Sequence, residues 1–394
     1  MLERVDGPPA DEAPPLTDHQ SGPVVAASTG LRPQPDSTHG PDAIAPRRGR
    51  SGVAELKLRV KRVWLGLEST RETSTAFAYD CRRYLRYSST RGAGSHQHNL
   101  AAKITERYHM IEKGLSLPEP RPGFGRGVIP RLVELIELYL VRFGEDAVIT
   151  SAVGALRAYQ DFNLSVGVPL SELPASDRLG ALLERANVPV VPVGGTREIS
   201  RQEINAAVAG VDLGFFTSRH STRVFEHKPV TEAEIEFALA AATTAPAVCN
   251  REFSAVTIWK ERDEIGSILR LQGGARGFAE EVSTLAMVSV SVRTFWSAAE
   301  RNQAWVDGGM FAMNFILGLH AQGLGAVPLN WSKPPTTDRA MRSLIGLPDD
   351  RVIIMFIAFG HLKDHYRVAA SPRRPISAFR LALGDDGRAT PKAG

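Results

Sequence analysis

Two cysteines in 394 residues, Cys81 and Cys249, cannot build a disulfide framework, and they stand in none of the spacings of a metal-binding or CxxC motif. Long apolar runs are missing as well. The strongest, Val352 to Phe359 (VIIMFIAF), is far shorter than the roughly 20 residues a membrane-crossing helix requires. Charge of one sign is not concentrated: 47 Lys and Arg against 43 Asp and Glu leave +4, too small an excess for a nucleic-acid scaffold. The opening residues hold acids and prolines where a secretory signal has a basic start and an apolar core, so a cytoplasmic protein is expected. The chain also lacks GxSxG, HExxH, GxxxxGK[ST] and a GxGxxG after a strand. That removes a nucleophile elbow, a zinc-protease helix, a P-loop and a dinucleotide fingerprint. His361 and His365 are a pair at helical spacing, but they follow a strand and Gly360, which suits a loop better than a metal site.

What is present is ordinary for a folded soluble chain: 43% apolar and 23% charged residues, with length for one large domain or two smaller ones. Residues 1–50, with PPADEAPP and RPQPDSTHGP, carry too little apolar surface to offset the entropy of ordering, and a disordered tail is expected there. Residues 51–190 read as a helical domain. ELKLRVKRVWLGL and RLVELIELYLVRFG space apolar groups helically, the second at Leu132, Leu135, Ile136, Leu138, Tyr139 and Val141. Between them YHMIEKGLSLPEPRPGFG stops a helix at Gly114 and opens a Pro/Gly loop. NVPVVPVGGT, Asn187 to Thr196, marks a boundary.

Residues 199–385 read as a second domain, followed by a flexible tail over 386–394. Ser200 with Glu203, and Thr231 with Glu234, have capping-box spacing before helical runs. The β-type runs FSAVTIW, TLAMVSVSV and RVIIMFIAFG alternate with helices such as WVDGGMFAMNFILGLHAQ, which points to an α+β layer structure.

Four stretches of this second domain carry groups suited to binding. In SRHSTRVFEHKPV, residues Arg219, Ser221 and Arg223 alternate, so an extended backbone puts charge, hydroxyl and charge on one face. Guanidinium groups bind phosphate oxygens in pairs, and the hydroxyl adds a short donor. SPRRP supplies Arg373 and Arg374 in a proline-bracketed turn. TTAPAVCNREF ends a helix and presents Asn250, which donates and accepts as a heterocycle edge requires; Cys249 has no partner base and reads as packing. GLGAVPLNW makes a glycine turn and a short strand ending in an irregular segment led by Pro328, where the backbone of Leu329 and Asn330 could approach a flat ligand. Each stretch alone fits ordinary loop chemistry equally well.

In this order and spacing, RHSTRVF, APAVCNREF, GLGAVPLNW and FGHLKDHYRVAASPRRP resemble the signatures of the FMN-dependent nitroreductase family, over roughly Ser200 to Leu383. The resemblance implies a mixed, mainly antiparallel sheet flanked by helices, here preceded by the helical domain. It implies FMN held between the subunits of a homodimer, with NADH or NADPH as electron donor and a small electron-poor acceptor: a nitroaromatic, a quinone or a dedicated biosynthetic substrate. Arg219, His220 and Ser221 would then grip the phosphate and ribityl end, helped by Arg373 and Arg374, with His220 standing where an arginine is frequent. Arg223 and Asn250 would face the pyrimidine edge, where a cation stabilises the negative charge of the reduced ring. Backbone around Pro328, Leu329 and Asn330 would lie by flavin N5. Hydride passing directly between nicotinamide and flavin needs no side-chain acid, so no catalytic side chain and no metal are expected.

The chain departs from the pattern at Glu252, Phe253 and Ser254, which stand where Gln, Pro and Trp are frequent, and at Asn330, where some members have an acid. Two other readings stay open. A flavin binder with little turnover fits the altered NREFS segment. A binder of nucleic acid or another anionic polymer fits the basic loops, but aromatic residues are not interleaved with them, which argues against nucleic acid. For IEKGLSLPEPRPGFG a lid, a partner module and a dimer brace fit equally.

Overall fold

Apolar periodicity decides the first half of the chain, and strand pairing the second. The computed structural model describes residues 52–91, 96–185, 194–383 and 387–390; the expected tail over 1–50, most of the boundary segment Asn187 to Thr196 and most of 386–394 lie outside the described residues. Trp64 to Gly394 form one compact unit, to which all the contacts below belong.

The first helix, α1 (Gly52–Tyr87), packs through Tyr84 against Val290, Phe295 and Val352, and the helical layer consists of α2 (Gln97–Leu115), α3 (Ile129–Phe143), α4 (Ala147–Ser165) and α5 (Ser176–Arg185). Its core holds Ile104, Ile111, Leu132, Ile136, Tyr139, Leu156 and Tyr159, all essentially inaccessible to solvent. The stripe on α3 is narrower than the periodicity suggests: Leu132, Leu135, Ile136 and Tyr139 face inward, whereas Leu138 and Val141 are exposed. Pro130 sits in the first turn of α3, where it costs no hydrogen bond, and Asp146 caps α4 through the N–H groups of Val148 and Ile149.

The motif IEKGLSLPEPRPGFG is internal stitching for this layer. Glu112 accepts a hydrogen bond from the Gly195 N–H at 3.1 Å and pairs with His109 Nδ1 at 3.1 Å. The Gly123 N–H donates to the fully buried Asn163 side chain at 2.7 Å, and Tyr159 donates to the Phe124 carbonyl at 2.6 Å. Gly114 is required because a Cβ there would stand 2.3 Å from the Phe124 ring. The loop is thereby fastened to α2 on one side and α4 on the other.

Beyond α6 (Arg201–Val208), α7 (Leu213–Ser218) and α8 (Glu232–Thr243) the chain enters the sheet at β1 (Ser254–Trp259). Then follow α9 (Arg262–Gln272), β2 (Thr284–Ser291), α10 (Gln303–Ala321), β3 (Leu324–Asn330), α11 (Pro335–Ile345) and β4 (Arg351–His361). The strands pair antiparallel in the order β1-β2-β4-β3, so β1 and β3 are the edges. Alternation along β2 and β4 divides the core. Ala286, Val288, Ile357 and Phe359 face α8 and α10, whereas Leu285, Met287, Phe356 and Ala358 face α9 and α11. A short ribbon, β5 (Ala382–Leu383) with β6 (Ala389–Thr390), follows.

Both capping boxes read from the sequence are formed, Ser200 with Glu203 and Thr231 with Glu234. Thr231→Ala is expected to destabilise the fold by about 1 kcal/mol, measured by urea unfolding, because the Glu234 N–H loses its acceptor at the start of α8.

Candidate functional site

The basic stretch Arg219 to Phe225 crosses the end of the sheet. Ser221 forms a bridge with Ala326 of β3, the Thr222 N–H donates to the Ala326 carbonyl at 3.1 Å, and the Glu226 N–H donates to the His361 carbonyl at 2.9 Å. The crossing depends on two glycines that are cross-strand partners, Gly325 and Gly360. A Cβ on Gly325 would lie 2.4 Å from Leu362 and 3.1 Å from Thr222; one on Gly360 would lie 3.2 Å from Phe225. Into that gap Thr222 and Phe225 are buried, leaving Ser221 half-buried and Arg223 exposed. Among the described residues no carboxylate lies within ion-pair range of Arg219 or Arg223, and the Arg223 contact is a marginal one to the Ser221 carbonyl at 3.5 Å. Arg219 and Arg223 thus flank half-buried Ser221 on the segment that crosses β3, a stretch termed the cradle.

Just upstream, α7 is held to the C-terminal end of α10: His320 Nε2 lies 2.9 Å from Ser218 Oγ and 3.0 Å from the Phe215 carbonyl. The segment led by Pro328 differs from expectation. It is not irregular; Pro328, Leu329 and Asn330 continue β3 in register with β4, and Leu329 is buried. An edge strand tolerates proline because its missing donor faces away from the ladder. The Asn330 carbonyl accepts from Gln272 Nε2 at 2.9 Å, and the Trp331 indole donates to buried Asp338 at 2.8 Å. Burial would raise the Asp338 carboxyl, but donors from Trp331, Arg342 and Tyr79 outweigh it and hold the group below its usual range.

Asn250 lies elsewhere. It ends a tight turn, Val248–Asn250, in which Cys249 (φ 50°) and Asn250 (φ 56°) are both left-handed. The Val248 N–H donates to Asp307 at 3.3 Å, at the N-terminal end of α10. Asp307 and His320 are thus about 20 Å apart at 1.5 Å per helical residue. The cradle also sits against one edge strand, β3, while Asn250 leads into the other, β1. Within one chain the structure therefore brings Arg219, His220, Ser221 and Arg223 to β3 but does not bring Asn250 to them. Arg373 and Arg374 are exposed on the stretch after β4, with Arg374 over the Phe379 ring at 5.0 Å and no contact to the cradle.

Two buried residues escaped the sequence reading. Arg251 is fully buried and donates to the Val248 carbonyl (3.0 Å), the Thr294 carbonyl (2.7 Å) and Glu300 (2.5 Å), with its guanidinium 3.9 Å from the Trp296 ring centre. Tyr108 is buried on α2, and burial raises its phenol pKa. Nothing in NREF or in RYHMIEK distinguishes either from a surface residue. Beside the turn Glu252, Ser254 and Asp307 line a hollow of about 90 Å³ under Pro246 and Phe311, and burial raises both carboxyls.

Compared with known proteins, residues 216–361 match the model of the nitroreductase family. This chain carries a nitroreductase-family domain. Its cradle, crossing glycines and β3 all fall inside the matched span. A protein of Archaeoglobus fulgidus described as an NADH dehydrogenase/NAD(P)H nitroreductase is 24% identical over 153 residues, 39% of this chain and 86% of that one. Among solved structures, one from Bacteroides thetaiotaomicron with the same description is 21% identical and has a TM-score of 0.35, covering 41% of this chain and 92% of its own. An FMN-dependent nitroreductase of Clostridium difficile is 17% identical with a TM-score of 0.35, covering 41% and 92%. An NADPH:FMN oxidoreductase of Vibrio harveyi, solved with NAD+, is 15% identical with a TM-score of 0.36, covering 44% and 76%. The α+β expectation holds: helices flank an antiparallel sheet, and the preceding region is helical. Among the described residues there is no group of His, Cys, Asp and Glu fit to hold a metal, and no helix long and apolar enough to cross a membrane.

Proposed function

We propose that the protein is an NAD(P)H-dependent FMN oxidoreductase acting on a small electron-poor organic acceptor. The observation that carries this reading is the uncompensated Arg219–Ser221–Arg223 cradle on β3, inside a nitroreductase-family domain. The residues fit FMN: an anionic tail would meet two guanidinium groups and a hydroxyl, and a flat ring would meet the hydrogen-bonded strand end at buried Leu329 and exposed Asn330. When bound, FMN supplies two-electron chemistry, accepting hydride from the nicotinamide and passing it to the acceptor. The chain's own part is to bind and to orient. Arg219 and Ser221 hold the phosphate end, Arg223 places positive charge beside the ring, and β3 sets a flat wall fixed by its pairing with β4.

The same reading makes the active form a homodimer. The cradle and Asn250 stand at opposite ends of α10, whose outward stripe of Val306, Gly309 and Met313 is open: Val306 is 51% and Met313 41% exposed, and a Cβ on Gly309 would meet nothing. A two-fold axis set across this stripe, perpendicular to α10, makes the contact self-complementary and runs the helices antiparallel. It sets the cradle of one copy against the partner's Asn250. One flavin can then touch both halves, as a single chain does not permit.

The test is a titration with FMN followed by a stopped assay of NADH or NADPH oxidation with a quinone. Uptake of a yellow cofactor and acceptor-dependent turnover are expected; protein that stays colourless after incubation with FMN overturns the reading. Arg223→Ala should weaken FMN binding about tenfold or more, since one charge-assisted contact is lost, and should slow reduction of whatever flavin remains. Unchanged affinity and rate would remove Arg223 from the site.

A further inference from the structure

We infer that the hollow between α1 and the start of α10 is a second binding site, suited to a small planar aromatic acid, a carboxylate or a sulfonate. It goes beyond the flavin reaction and does not depend on it.

The hollow measures about 400 Å³, within the roughly 300–1,000 Å³ of small-molecule sites. From α1 come Phe77, Tyr84 and Leu85; from the stretch that leads into α10 come Val292, Arg301 and Trp305. Residues 216–361 match the nitroreductase family and α1 precedes them, so the site arises where the first helix meets the family domain. The space persists because α1 is pinned at several points. The Tyr84 hydroxyl donates to the Ser297 carbonyl at 2.6 Å, and its ring stacks on Phe295 with centroids 6.4 Å apart. The Ser89 N–H donates to the Phe295 carbonyl at 2.8 Å, Arg83 Nε to the Asp349 carbonyl at 2.9 Å and the Tyr79 hydroxyl to Asp338 at 2.8 Å. Held this way, α1 cannot settle onto α10 and close the gap. Two large aromatic residues of the lining therefore stay open, Phe77 at 73% and Trp305 at 42% exposure, and a flat apolar ring in the hollow would cover them.

The charges of the lining select the polar end of the ligand. They are Asp80, Arg83 and Arg301. Asp80 pairs with Arg83 at 3.4 Å, and Arg83 pairs again with Asp338 at 3.1 Å, so these charges are already matched. Arg301 is not. Among the described residues no carboxylate lies within ion-pair range of it, and its guanidinium meets only the Ala298 carbonyl at 3.3 Å. Asn302, the next residue, also lines the hollow, and its side chain makes no hydrogen bond to a described residue. A guanidinium and an amide with open donors suit an acid oxygen, whereas a cationic ligand would find only a carboxylate that is already paired.

The experiment uses the full chain and two dyes with the same ring frame, 8-anilinonaphthalene-1-sulfonate and its uncharged parent N-phenyl-1-naphthylamine. The sulfonate should bind once per chain by calorimetry, with a rise in its fluorescence. Arg301→Gln should weaken the sulfonate about tenfold and change the neutral dye by less than about twofold, since only the charge-assisted contact is lost. Cys81 lines the hollow from an exposed position on α1, so Cys81→Trp should fill the space and abolish binding of both dyes without altering the melting temperature of the free chain. No binding by the wild type, or binding that Cys81→Trp leaves intact, overturns the site. Equal losses of both dyes in Arg301→Gln overturn the acid as its ligand. Saturating FMN should leave sulfonate binding unchanged; competition would move the dye to the cradle and overturn the inference. Binding that disappears as the chain is concentrated into a dimer would give the hollow to a second copy and overturn it as well. A chain that takes up no FMN overturns the proposed function and leaves each of these outcomes readable.

Discussion

Arg251→Ala is expected to lower the unfolding free energy by about 3–5 kcal/mol and the melting temperature by several degrees, because it breaks a buried ion pair by deleting one partner. The guanidinium is fully buried and Glu300 nearly so, with the side chain of Glu300 17% exposed, so the carboxylate left behind would have little water to turn to. The Val248 and Thr294 carbonyls lose their donors at the same time, and the Trp296 face loses the cation 3.9 Å from its centre. Lysine should recover little of this, since a single ammonium cannot reproduce three separate directions of donation. Calorimetry on the purified chain decides it; a melting temperature within a degree of wild type would show that the frame around the Asn250 turn does not depend on Arg251.

The second large effect concerns assembly. Gly309→Glu should leave each chain folded, since a Cβ at that position meets no atom of the chain, yet it sets a carboxylate in the middle of the outward apolar stripe of α10. In a two-fold contact the charge faces its own copy and the partner's Met313, where desolvation and like-charge repulsion both oppose association. Light scattering should show monomer in place of dimer. On the proposed composite site, FMN affinity should fall about a hundredfold, because the cradle alone would keep the phosphate while the ring would lose the far half of its site. A variant that remains dimeric, or a monomer with full affinity, would contradict the composite site.

Much of the framework was legible because it is written in local chemistry. The caps at Ser200 and Thr231 need one residue three places from another, and the β2 and β4 runs need only alternation and apolar side chains. The pairing of RHSTRVF with β3 was not local, and alternation reached only as far as setting Arg219, Ser221 and Arg223 apart from Thr222, which the structure buries where the segment crosses the strand. Two things resisted. Pro328 suggested irregular backbone, and only strand order reveals that β3 is an edge, where proline fits. The distance between Asn250 and the cradle is likewise a property of topology, since no spacing along the sequence tells which end of α10 each stretch meets. Arg251 and Tyr108 were invisible for a related reason. A buried arginine looks like any other until Thr294 and Glu300, more than forty residues away, are brought alongside, and a buried tyrosine looks like any other until its helix is packed.

The crossing over Gly325 and Gly360 sets the order in which the site can be made. Thr222 needs the carbonyl of Ala326, and Glu226 needs that of His361, the last residue of β4. During synthesis from the N-terminus, the buried core of the helical layer, Leu100 to Leu183, is complete early, whereas the Arg219 segment must wait for more than a hundred further residues before its seat exists. A ribosome-bound chain that has not yet released β4 therefore has no seat for Arg219 and Arg223, so the crossing segment is among the last features of the protein to mature.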